Sequence, residues 1–256
     1  MKEIEIKNGN SRAVVSSIGG TVVLFECEGK NIIYPEKTLK KGAETKKRRG
    51  IPICFPFFGS PKAGFKRLRR HGWLRNQKLR VVSTSSNSVI LEGENRYRKS
   101  YPWQMKYQVT VSIVKDGLLK IKLWVIRLKD GIASGAPVNP AIHPYFANSF
   151  GNKKARIVKI NDSNSPFNAE IKVHPDGKAQ IFPATDDIFI NLGQKRVRMS
   201  LKGDFGKECL ALWSDDKRYF CVEPVLADPK NFNTPNGRYL EEGEWLTIIC
   251  LLKVLN

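Results

Sequence analysis

Apolar and polar residues alternate with a period of two along most of the chain, and turn residues interrupt the pattern at short intervals. In Val109-Thr110-Val111-Ser112-Ile113 and Leu119-Lys120-Ile121-Lys122-Leu123-Trp124-Val125 every second side chain is apolar until the aromatic end, which suits strands with one face in a core. Between them Lys115-Asp116-Gly117 supplies a turn, because glycine takes positive φ without a Cβ clash, so the two runs are predicted to form a hairpin. A second hairpin is predicted from 171–173 and 179–182, joined through Pro175-Asp176-Gly177. Further strands are expected at 13–15, 21–27, 79–82, 88–92, 197–201 and 209–213. The apolar run at 245–252 reads as a buried terminal strand, far shorter than the ~20 residues that cross a bilayer. No stretch carries a sustained 3.6-residue apolar stripe. Many short strands and short turns predict an antiparallel all-β sandwich or barrel, not alternating βαβ units. The polar, lysine-rich stretch 37–49 is expected to be a loop at a site's rim. With no repeat, low-complexity tract or linker, residues 1–256 are expected to form a single domain.

Composition narrows the class. Hydrophobic residues make up 41% and charged residues 27%, as in ordinary globular proteins. The start, Met1-Lys2-Glu3-Ile4-Glu5-Ile6-Lys7, lacks the unbroken apolar core of a secretory signal, so Met1 is expected to begin the mature chain and no membrane partner is expected. Five cysteines are scattered without a Cys-x-x-Cys pair, which suggests neither a disulfide framework nor a zinc site and fits a cytoplasmic protein. Cys54 and Cys221 are read as small buried hydrophobes. The net charge of +20, concentrated at 37–49 and 62–80, is read as a solvated basic surface, with no specific nucleic-acid partner expected. The same charge suits an anionic small substrate.

Only three histidines are present, so an imidazole site has few possible members. His174 precedes the Pro175-Asp176-Gly177 turn, where an exposed ring needs no function. His71, in Arg69-Arg70-His71-Gly72-Trp73-Leu74-Arg75, and His143, in Asn139-Pro140-Ala141-Ile142-His143-Pro144-Tyr145-Phe146, each suit either a walled polar pocket or a satisfied place in a core. Glu223, in Tyr219-Phe220-Cys221-Val222-Glu223-Pro224, is a carboxylate inside an apolar strand. It must face a polar cavity or pair with a cation, since burying it alone is costly. Asp186 and Asp187 fit a turn or a polar contact.

Several of these segments together resemble one family. Arg48-Arg49-Gly50-Ile51-Pro52-Ile53-Cys54-Phe55-Pro56-Phe57-Phe58-Gly59 resembles the Arg-Gly-Gly-x-Pro-x-x-Phe-Pro-x-Phe-Gly signature of the hexose-6-phosphate mutarotases, a branch of the aldose 1-epimerases. His71-Gly72-Trp73-Leu74-Arg75 is similar to that family's His-Gly-Phe-Ala-Arg, and His143-Pro144-Tyr145-Phe146 to its His-x-Tyr-Phe. Glu223 matches the glutamate of Val-Glu-Pro, and Leu240-Glu241-Glu242-Gly243-Glu244 resembles the Pro-Gly-Glu ending. The motifs stand in family order from Arg48 to Glu244.

The resemblance implies an antiparallel β-supersandwich of the galactose-mutarotase type with an open, concave sugar site and no metal or cofactor. It implies that His143 is the general acid and Glu223 the general base. His71 would support the acid and hold the ring, Arg48 and Arg75 would contact substrate, and Asp186 would accept sugar hydroxyls. Interchange of anomers takes the proton from the C1 hydroxyl and gives one to the ring oxygen, so one acid and one base suffice. Guanidinium forks match phosphate oxygens, so Arg48 and Arg75 suit a hexose 6-phosphate such as glucose 6-phosphate. The partner expected is this sugar phosphate or a sugar, bound by a monomer.

Arg49 replaces the first glycine of the signature, and Thr185-Asp186-Asp187 has an anion where the family pattern Thr-Asp-Arg has a cation. Pro144 after His143 is also similar to epimerases of unphosphorylated aldoses. An aldose 1-epimerase for neutral sugars is therefore the nearest alternative. A non-catalytic carbohydrate-binding protein is the next, although binding alone requires no acid and base.

Overall fold

The computed structural model describes residues 2–34, 37–41, 44–48, 50–61, 64–95, 99–147, 156–161, 168–183, 187–193, 195–205 and 209–255, with the backbone alone at 37–41, 44–48, 156–161 and 168–172. Apart from two 3₁₀ turns, Leu74–Asn76 and Pro229–Asn231, its regular elements are β-strands. The antiparallel all-β architecture expected from the alternation is what forms.

The largest sheet has nine strands, and its middle is Arg196–Gly203, Trp245–Leu255, Leu118–Arg127 and Met105–Lys115 in that lateral order. These long strands alternate over most of their length, so one face offers Tyr107, Val109, Ile121, Leu123, Ile248, Cys250 and Val197, all fully buried. Each such aliphatic or aromatic side chain contributes roughly 1.5–3 kcal/mol on leaving water. The predicted hairpin through Asp116-Gly117 is present, with Val109 opposite Leu123 and Val111 opposite Ile121. The run at 245–252 is not buried throughout. It alternates like its neighbours, and Trp245 is 58% exposed, because water covers the outer face of this sheet.

A six-stranded sheet lies against the buried face, with Gln180–Phe182, Cys209–Trp213, Tyr219–Val225, Ala141–Ile142 and Ile53–Cys54 in order, and Tyr145–Ala147 also paired to Tyr219–Val225. Its even-numbered Leu210, Leu212, Phe220, Val222, Ile142 and Phe146 join the common core with Val109, Ile121 and Ile248. The residues on the opposite face of its central strands are covered too. Cys209, Ala211, Ala141 and Val225 pack with Phe58, while Tyr145, Tyr219 and Cys221 pack with Tyr34 and Trp213.

Two local expectations are corrected. The strands on either side of Pro175-Asp176-Gly177 do not form a hairpin. Asn168–Val173 pairs in the nine-stranded sheet and Gln180–Phe182 in the six-stranded one, so the turn is a crossing between layers. The stretch at 37–49 is not simply a loop. Lys37–Lys41 and Glu44–Arg48 form a two-stranded ribbon, whose facing backbone groups pair with each other and which needs no apolar run to mark it.

Candidate active site

The face of the six-stranded sheet that carries Tyr145 and Glu223 is the floor of an open cavity of about 140 Å³. Phe58, His71, His143, Tyr145, Trp213 and Glu223 line it, with Arg70, Arg75 and Ala179 at its sides.

Register brings the two central residues together. Ala141 pairs with Val225 and Tyr145 with Cys221, so the same antiparallel register sets His143 opposite Glu223. The ladder breaks at this point for a chemical reason. His143 and Tyr145 donate their N–H groups away from Tyr219–Val225, to Pro52 O at 3.0 Å and Gly50 O at 2.9 Å. The intervening residue would donate toward Tyr219–Val225, but it is Pro144 and has no N–H. His143 Nε2 and Glu223 Oε2 stand 3.2 Å apart without the alignment of a hydrogen bond. Both are deeply buried, at 3% and 1% exposure. On the other side of Glu223 the cross-strand neighbour is Ala211, whose small side chain leaves room above the carboxyl.

Burial therefore dominates the electrostatics of Glu223. Loss of water pushes its pKa up to about 8, against the opposing fields of Arg70 and Arg75. A carboxyl of that pKa exchanges its proton near neutrality, where a general base or acid is most effective.

The imidazole of His143 is held in place by aromatic neighbours. It stacks on Tyr145 with ring centres 4.7 Å apart and planes 4° from parallel, and meets the edge of His71 at 5.2 Å. Asn139 fixes the approach to this segment: its side chain donates to Ala227 O at 3.0 Å and accepts from Ala227 N–H at 2.9 Å. Asn139 thereby ties the chain ahead of His143 to the exit of the strand bearing Glu223.

His71 is placed by a tight reversal. Its N–H donates to Gly59 O at 2.8 Å, and its Nδ1 accepts from Gly59 N–H at 3.2 Å. This assigns the proton of the neutral ring to Nε2, which is then a donor. The backbone of His71 is left-handed, at φ 65°, a conformation uncommon for a residue with a Cβ and frequent at functional sites. Gly72 follows at φ 71°, and a Cβ there would lie 2.0 Å from Phe55 O, so only glycine fits. Gly50 is required for the same reason, since its Cβ would lie 2.0 Å from Val22 O.

Of the residues singled out in the sequence, the structure brings together His143, Glu223, His71 and Arg75. Arg48 closes its strand, and its side chain lies outside the described residues, as does Asp186 entirely. Asp187 is engaged elsewhere, accepting from Arg198 Nε at 2.7 Å and Ser200 Oγ at 2.7 Å. Trp73 turns into the core instead of the cavity, 5.1 Å from Tyr101 and 5.5 Å edge-on from Phe55, so its bulk does not narrow the site. Two wall residues escaped sequence reasoning. Arg70 sits beside His71 in the motif, but its direction depends on the left-handed turn that follows. Trp213 ends an apolar strand and gave no signal beyond core packing.

Comparison with known proteins decides the family. The aldose 1-epimerase family model matches residues 2–177. The chain belongs to the aldose 1-epimerase family. Members are isomerases of the epimerase type. No curated protein sequence matches the chain. Among solved structures, a galactose mutarotase related enzyme from Lactobacillus acidophilus superposes with a TM-score of 0.76 at 15% identity, covering 100% of this chain and 98% of that one. A galactose mutarotase-like protein from Lactobacillus casei gives 0.76 at 17% identity, covering 99% and 100%. Galactose 1-epimerase from Lactobacillus acidophilus gives 0.67 at 14% identity, covering 99% and 94%. The fold is thus the galactose mutarotase-like sandwich expected from the motifs. Among the described residues no helix is long and apolar enough to cross a membrane.

Proposed function

We propose that the chain is a mutarotase that interconverts the α and β anomers of a hexose 6-phosphate, with His143 as general acid and Glu223 as general base. The observation that carries this reading is the buried pair of an imidazole and a carboxyl, set opposite each other by strand register and lining an open cavity. Ionised Glu223 removes the proton of the C1 hydroxyl while His143 delivers one to the ring oxygen. The C1–O5 bond breaks and the open-chain aldehyde forms. After rotation about C1–C2 the two transfers run in reverse, and the ring closes on the other face. Each positioned transfer contributes about 10² to 10⁴ in rate. His71 supplies an Nε2–H donor to the sugar, and Tyr145 and Trp213 offer aromatic walls.

Arg70 and Arg75 support the phosphate. Both stand at the cavity side and their fields reach Glu223. Guanidinium groups there suit a dianionic phosphate at the far end of the sugar. Arg48 and Asp186 join the proposal as further substrate contacts on the motif resemblance alone.

NMR exchange spectroscopy on pure anomers of glucose 6-phosphate, glucose and galactose tests both parts. Enzyme-dependent exchange is expected in all active cases, with the phosphate ester saturating at the lowest concentration. Arg70→Ala with Arg75→Ala should raise KM about tenfold or more for the ester and leave neutral sugars unchanged. Equal handling of all three sugars favours the neutral-aldose alternative. Unchanged exchange in both His143→Ala and Glu223→Gln overturns the mutarotase reading.

A further inference from the structure

Cys221 has no part in the proposed proton transfers, yet it belongs to the same cluster. It stands two residues before Glu223 on one strand and therefore on the same face, while Tyr145 and Trp213 flank it across the sheet. One ligand atom each from His143, Cys221 and Glu223 all lie within 4.8 Å of one another, and all three residues are buried. We propose that the floor of the cavity is a binding site for a thiophilic divalent cation such as Zn²⁺, held by the His143 imidazole, the Cys221 thiolate and the Glu223 carboxylate. His143 and Glu223 line the cavity, so the fourth position would open through them to it.

Geometry and donor chemistry both support this. The 3.2 Å separation of His143 Nε2 and Glu223 Oε2 matches the edge of a tetrahedron whose metal–ligand legs are about 2.0–2.1 Å, which is roughly 3.3 Å. Glu223 Oε2 is buried and accepts no hydrogen bond, so its lone pairs are available. Imidazole, thiolate and carboxylate are the three zinc ligand types. The sequence concealed the set because its members are 78 and 2 residues apart, unlike the short spacings by which zinc sites are read. Coordination displaces the thiol proton and any carboxyl proton to solvent, without a redox change.

The metal would occupy the acid and the base together, so its consequence is reversible inhibition. Binding itself does not depend on the mutarotase reading, but the inhibition does. Two readouts on the intact protein keep them apart. Co²⁺ titration should give a one-to-one thiolate-to-cobalt charge-transfer band, and Zn²⁺ should abolish anomer exchange until EDTA restores it. Cys221→Ser and Cys221→Ala should keep basal exchange, lose the cobalt band, and need on the order of 100-fold more Zn²⁺ for the same inhibition, since losing a ligand costs at least as much as losing an outer-shell partner. Cys209→Ser, on the same face under Phe58, should behave as the parent. Two Cys221 variants guard against one that fails to fold. A cobalt band without any anomer exchange leaves the metal site standing and sinks the mutarotase reading. Absence of the band in the parent protein, or equal Zn²⁺ sensitivity in the parent and both folded Cys221 variants, overturns the metal site.

Discussion

The two main sheets bury their residues in opposite ways. In the nine-stranded sheet, strands such as Leu118–Arg127 alternate between buried and partly exposed positions, and water covers the outer face. In the six-stranded sheet, every residue of Tyr219–Val225 is buried, because the core covers one face and the cavity walls cover the other. The first arrangement uses burial to hold the fold. The second holds a carboxyl whose pKa burial pushes up to about 8, at a cost to the fold. On the proposed function, the long-stranded sheet serves stability and the short-stranded one chemistry.

The sharpest break is Glu223→Gln. Anomer exchange should fall by about 10³-fold in the saturation-transfer assay, while the protein becomes more stable at alkaline pH. Glu223 has its ordinary pKa near 4.5 when unfolded and one pushed up to about 8 when folded. The unfolded chain therefore ionises first, and the stability present below pH 4.5 is lost as pH rises to about 8. Linkage puts that loss of order 5 kcal/mol, and urea melts of the glutamine variant should lack it. Exchange by the parent should climb through about pH 8 for the same reason.

Leu252→Ala makes the converse cut. Leu252 is fully buried in the nine-stranded sheet, so its loss should cost about 3 kcal/mol in denaturant unfolding and leave kcat unchanged below the melting range. Asn139→Ala sits between the two cases. It strands the N–H and C=O of Ala227, so about 2 kcal/mol of stability should go, with a fall in kcat as His143 loses its tether. Val114→Thr, at a position 50% exposed on the large sheet, should move stability by less than about 0.5 kcal/mol and exchange not at all. A large effect there would mean that the outer face does more than meet water.

The same contrast governs what the sequence could tell. Long, half-wetted strands write their period into the chain, so Met105–Lys115 and Leu118–Arg127 were legible with their turn. Strands covered on both faces lose the period, and short ones such as Ala141–Ile142 carry too few residues to have one. The turn at Pro175-Asp176-Gly177 was read correctly as a turn and wrongly as a hairpin, because local turn chemistry does not say which sheet the next strand joins. At the site, His71, His143, Arg75 and Glu223 stood in ordered motifs. Glu223 was conspicuous even alone, as a charge in an apolar strand. Arg70 and the nearness of Cys221 to His143 depended on a left-handed turn and a pairing register, and neither is written in local spacing.

That register also decides which genetic accidents the protein can survive. His143 and Glu223 meet because both are odd-numbered on strands paired so that 141 faces 225 and 145 faces 221. Losing one codon inside either short window would turn His143 or Glu223 toward the side that Ile142 and Val222 face, the core. Losing one in the connections outside them leaves the parity of each window intact. A scan of single-codon deletions should therefore lose exchange at 141–145 and 221–225, lose stability in core strands such as Arg196–Gly203, and be tolerated in the connections between strands, so that inheritance of the site rests on counting as much as on residue identity.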